Sequence, residues 1–228
     1  MRRFTTASLA LTLAATGALA GAAAVVAQDG SDLKIGLVTD VGTIDDRNFN
    51  QYSWEGAVAG AEAVGAAVPD YAISQTSADI APNIQAFVDQ EYDIIVTVGF
   101  AAGTDTIAAA KAAPDIKFVG VDQAPCITPE GDPDASFACE GDPAELLPNL
   151  QGLNWREQQP GYLAGIVAAD VSETGHVAAI GGTAVVPAVP NYIEGFANGV
   201  LSVNPDAVVT VTYASGAPDA AAFNDPAG

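Results

Sequence analysis

Leu33-Lys34-Ile35-Gly36-Leu37-Val38-Thr39 decides the fold, because a run this short and this apolar, with a helical segment after it, is a strand buried on both faces. The segment after it, Asn48 to Gly65, places Trp54, Ala57, Val58 and Ala61 at helical spacing. Outward from there the alternation repeats: strand Ala72 to Gln75, helix Ile80 to Gln90, strand Asp93 to Val98, helix Gly103 to Ala113, strand Lys117 to Val121. Short apolar strands joined by helices imply an α/β fold with a parallel sheet covered on both sides.

From Asp122 to Pro148 the pattern gives way to a loop containing five prolines and the chain's two cysteines, Cys126 and Cys139. A loop this long inside a domain is functional, stapled or disordered. Thirteen positions apart in an exported protein, the cysteines suit a disulfide, worth about 3 kcal/mol in the chain-entropy model. Asp132, Asp134, Glu140 and Asp142 crowd the same loop. Calcium would suit such carboxylates, but their spacing matches no calcium loop, so a solvated acidic loop is the favoured reading. No metal and no cofactor is expected.

The alternation resumes with strand Gln151 to Asn154, helix Gln158 to Val171, strand His176 to Ile180, helix Asn191 to Val203 and strand Ala207 to Tyr213. Residues 33–153 therefore read as a first lobe and 154–228 as the start of a second. Two strands with one helix between them bury too little to stand alone, so the second lobe is expected to be incomplete or to lean on a partner.

The compartment is set by the first residues. Arg2 and Arg3 precede an uncharged stretch, Ala7 to Ala27, that ends in Val25-Val26-Ala27 with Ala22-Ala23-Ala24 just before it. That is a cleavable secretory signal over residues 1–27, the alternative being a retained membrane anchor. Its loss takes the net charge from -21 to -23, leaving 28 acids against Lys34, Arg47, Lys111, Lys117 and Arg156. A surface this acidic repels phosphate backbones, which argues against nucleic acid as a partner. Catalytic signatures are missing too: no Gly-x-Ser-x-Gly elbow, no phosphate-cradling Gly-Lys-Ser or Gly-Lys-Thr loop, and His176 as the single histidine. The chain does not read as an enzyme.

Open parallel sheets bind ligands beyond the carboxyl ends of their strands. That rule selects the loops Asp40 to Gln51, Gly99 to Thr104, Asp122 to Ala124 and Gly181 to Tyr192. The first joins carboxylates, amides and Phe49 on one turn, a set able to hydrogen-bond and stack on a flat polar solute. Simpler roles compete: Asp46 or Asn48 can cap the helix, and Phe49 can face the core.

The strings Lys34 to Asp40, Ile44-Asp45-Asp46, Phe49-Asn50-Gln51 and Trp54-Glu55-Gly56 resemble the opening of the basic membrane protein family, purine-nucleoside-receptor-like binding proteins of ABC importers. Val98-Gly99-Phe100, Phe118 to Asp122, Gly161 to Gly165, Gly181-Gly182, Glu194-Gly195-Phe196 and Phe223-Asn224-Asp225-Pro226 extend the resemblance. It implies a type I periplasmic-binding-protein-like fold of two Rossmann-like lobes gripping ligand between them, and a membrane permease as partner. On that resemblance Asp40 and Asn50 would hydrogen-bond a nucleoside base, Phe49 and Tyr192 would stack on its faces, and Asp122 would line the cleft. Asp46, Gly99 and Phe100 complete the expected set. A sugar-binding protein of the same fold and an extracellular sensor module are the competing functions. Ala27-Gln28 stands where many members carry a lipid-modified cysteine, so no acyl anchor is expected. The family's later ribose-binding residues would fall beyond Gly228, which adds to the expectation of an incomplete second lobe.

Overall fold

The computed structural model describes residues 32–215. The signal reading and the Phe223-Asn224-Asp225-Pro226 motif lie outside the described residues. Within them the order is β1 (Ile35–Val41), α1 (Phe49–Val64), β2 (Asp70–Ser74), α2 (Ile80–Asp89), β3 (Ile94–Val98), α3 (Gly103–Ala112), β4 (Lys117–Val121) and α4 (Pro143–Leu146). Then come β5 (Leu150–Leu153), α5 (Gln158–Val171), β6 (His176–Thr183), α6 (Ala188–Val203) and β7 (Val208–Ser215).

Five strands form one parallel sheet in the order β2-β1-β3-β4-β5, and β6 and β7 pair in a second parallel sheet. The chain leaves β1 for β2 on one side and for β3 on the other, so the sheet's crevice opens between the ends of β1 and β3. β1 has its first five residues buried, as its uninterrupted apolar run requires. Val38, Ile84, Phe87, Ile95 and Phe118 centre the core between this sheet and its helices. The Nδ2 of buried Asn149 donates to the carbonyls of Ala110, Ala113 and Ile116, tying the start of β5 to the end of α3.

The long loop is stapled by a Cys126–Cys139 disulfide and is less irregular than its sequence suggests. Asp142 caps α4 by accepting from the Ala144 amide, with Pro143 at the first helical position where its missing N–H costs nothing. Ile127 and Leu147 bury themselves against Ile107, giving the loop a small core of its own. Three of its carboxylates are engaged separately: Asp132 with Lys111, Asp134 with the Ser136 and Cys139 amides, Asp142 at its cap. Among the described residues no group of three or more His, Cys, Asp or Glu is placed to hold a metal ion.

In the second lobe α5 and α6 pack almost backbone to backbone. A Cβ added to Gly165 would meet the Phe196 carbonyl oxygen at 2.0 Å, and one on Gly199 the Tyr162 carbonyl oxygen at the same distance. α6 begins at Ala188, three residues earlier than the periodicity indicates. Pro187 stands at the N-cap and Pro190 in the first turn, where amides have no intrahelical partner and prolines are tolerated.

Candidate ligand cleft

Thr39 fixes the turn that leaves β1. Its hydroxyl donates to the Gly42 carbonyl at 3.1 Å and accepts from the Ser74 amide at 2.9 Å. Asp40 follows, half-buried, at the mouth of the crevice. Its own N–H donates to Asn50 Oδ1 at 2.9 Å, and its Oδ1 accepts from the Val41 amide at 2.7 Å. Burial pushes the Asp40 carboxyl above the usual carboxylate range, and the Val41 amide offsets only part of that. Gly99, at the end of β3, faces it: φ is +89°, and a Cβ there would lie 2.5 Å from Asp40 Oδ2. Only glycine lets the two strand ends approach this closely.

Asp122 follows β4 directly, in the left-handed region at φ 59°, with its N–H donating to the Leu153 carbonyl at 3.0 Å. Its carboxyl is also raised, by burial first, then by the nearby charges of Glu157 and Asp40. No cation is among the groups that shift Asp40 and Asp122, and Glu157 adds its negative charge near Asp122. Such a site accepts hydrogen bonds from a neutral or cationic solute and repels phosphates.

Asp40, Phe49, Gly99, Phe100 and Asp122 line one wall of a cavity of about 400 Å³, with Val186, Ala188 and Val189 of the second lobe opposite. Phe49 is partly exposed and faces this space, so it is not sealed in the core.

Three expected residues sit elsewhere. Asn50 is 2 % exposed and spends its side-chain oxygen on the Asp40 amide, so it braces the wall from behind. Asp46 starts α1, accepting from the amides of Asn48, Asn50 and Gln51 at 2.8, 3.2 and 3.1 Å. Some desolvation raises its pKa, but the Gln51, Asn48 and Asn50 donors outweigh it, and the carboxyl sits below its ordinary value. Tyr192 is 41 % exposed and lines neither this cavity nor its neighbour. Tyr192 lies in α6 where that helix packs on α5, and Val186, Ala188 and Val189 line the cavity from this side.

Two residues were missed. Gln123, buried, donates from Nε2 to Thr97 Oγ1 at 3.1 Å and to the Gly99 carbonyl at 3.0 Å, locking the ends of β3 and β4. Glu157 joins the carboxylate group and accepts, at 3.5 Å, from Asn191 Nδ2 of α6. Neither carries a local signal, since a Gln after a strand and a Glu before a helix are ordinary in sequence.

Residues 33–227 match the family described as ABC transporter substrate-binding protein, PnrA-like. The chain belongs to that family. Within this substrate-binding family, the chain is 28% identical over 229 residues to the ABC transporter nucleoside-binding protein BmpA of Lactococcus lactis, covering 97% of this chain and 60% of BmpA. It is 30% identical over 189 residues to the CD4+ T-cell-stimulating antigen of Listeria innocua, covering 81% of this chain and 47% of that protein. The chain therefore spans about half the length of the curated relatives it matches. A solute-binding protein from Burkholderia graminis, solved with D-arabinose, shares the fold at 15% identity and TM-score 0.53, covering 82% of this chain and 58% of that one. Among the described residues no helix is long and apolar enough to cross a membrane.

Proposed function

We propose that the chain is the extracytoplasmic capture component of an ABC importer and that its solute is a purine nucleoside. One observation carries the reading: half-buried Asp40 and Asp122 face a single cavity with Phe49 and Phe100, at the crevice of a parallel sheet. Carboxylates in that position accept hydrogen bonds from ring N–H and ribose hydroxyl groups, and an aromatic face stacks on a planar base. The clustered negative charge selects nucleosides over nucleotides. Export by residues 1–27, closure of the two lobes on the solute and delivery to a membrane permease complete the proposal. The name of the Lactococcus lactis relative supports the nucleoside, while the arabinose-bound neighbour keeps a sugar as the second reading.

Thermal unfolding of the full-length protein against inosine, guanosine, adenosine, adenosine monophosphate, D-ribose and D-arabinose tests it. A ligand that binds only the folded state raises the midpoint. The nucleosides are expected to raise it and the monophosphate to leave it unchanged; a rise with a pentose alone would replace the nucleoside with a sugar.

A further inference from the structure

Beside the polar cleft lies a second cavity, of about 270 Å³, and its lining is mostly apolar. The stapled loop contributes Pro133 and Phe137, α3 contributes Ile107, the segment between β5 and α5 contributes Trp155, and the start of α6 contributes Pro187. Phe100, Asp122, Val186 and Ala188 border this space and the polar cleft alike, so a solute held at Asp40 can extend from one into the other. We propose that this is a second subsite, which takes an uncharged aromatic or branched apolar substituent on the captured solute. The inference rests on the nucleoside reading of the cleft and deepens it.

Size permits the assignment, because a cavity of roughly 150 Å³ already holds benzene. So does the state of its aromatics: Trp155 is 58 % exposed and Phe137 38 % exposed, and both line the cavity, so a ring held there would cover apolar surface now left in water. The loop is held ready by its own bonds. Cys126 and Cys139 both line the space and are joined to each other, and the Gly141 amide donates to the Ile127 carbonyl at 2.9 Å beside them. A wall fixed in this way loses little further freedom when a ligand arrives. Asp122, Asp134 and Glu157 at the margin set the charge rule: a neutral substituent is accepted and an anionic one refused.

Isothermal titration of the full-length protein with adenosine, N6-benzyladenosine and N6-(4-carboxybenzyl)adenosine tests the assignment. The benzyl compound is expected to bind about tenfold more tightly than adenosine, as burial of one ring implies. The carboxylate should abolish that gain, and Phe137→Ala should bring the benzyl-to-adenosine ratio toward one. Equal affinities in the unmodified protein, as when other parts of the protein fill the cavity, overturn the proposal; so does a gain that persists in Phe137→Ala. If no nucleoside binds, the cleft reading has failed, and neutral N-phenyl-1-naphthylamine decides the subsite alone. Dye fluorescence that rises with the protein and falls in Phe137→Ala supports it, and no rise, or a rise indifferent to Phe137, rejects it.

Discussion

β1 and β6 are similarly apolar strands, yet they live in different surroundings. β1 is buried on both faces, whereas β6 alternates, with Val177, Ala179 and Gly181 turned toward α6 and His176, Ala178 and Ile180 turned to solvent. Ile180 is 76 % exposed. The difference does not come from the strands. Helices lie on both sides of the first sheet, while in the second lobe the described residues place α6 on one face and stack α5 behind it. The candidate cleft follows this division: its polar groups come from the end of the well-packed sheet, and the second lobe supplies the apolar side chains Val186, Ala188 and Val189.

That contrast can be broken by truncating one side chain in each lobe. Phe118, 1 % exposed among Val38, Ile84 and Ile95, is expected to cost about 3 to 5 kcal/mol on replacement by alanine. Ile180→Ala should change stability by no more than about 0.5 kcal/mol, as at other exposed positions. Urea unfolding of both variants measures the gap, and a comparable loss at Ile180 would mean that its face is covered in the whole protein.

A smaller effect sharpens the same contrast through pH. Asp40 and Asp122 have folded-state pKa values above the ordinary carboxylate value, so the folded protein holds their protons longer than the unfolded chain does. Their contribution to stability is fully present below the unfolded value and is lost as pH rises through the folded one. Replacing both with asparagine should flatten this part of the stability profile and raise the unfolding midpoint at neutral pH. A profile that keeps its shape in the double variant would contradict the burial of these groups.

Much of this was legible in the residues. The βα alternation and the stapled loop follow from apolar runs, helical spacing and paired cysteines, and the cleft placement of Asp40, Phe49, Gly99, Phe100 and Asp122 follows from where strands end. What the local pattern left open was the choice among polar groups that share one turn. Asp46, Asn48 and Asn50 all can cap, brace or bind, and only the three-dimensional path of the turn sends Asp46 to the helix start and Asn50 behind Asp40. Tyr192 stands in α6 against α5 and outside the cavity lining, a packing between helices that helical spacing alone does not reveal. Gln123 and Glu157 act across strands and lobes, a range that local pattern does not reach.

The capture of a solute by Asp40 is tested most directly by titrating inosine calorimetrically into the full-length protein and into its Asp40→Ala variant. Loss of a hydrogen bond to a charged group implies at least a roughly tenfold weaker affinity in the variant. Equal affinities in the two proteins would place the solute away from the end of β1 and contradict the account.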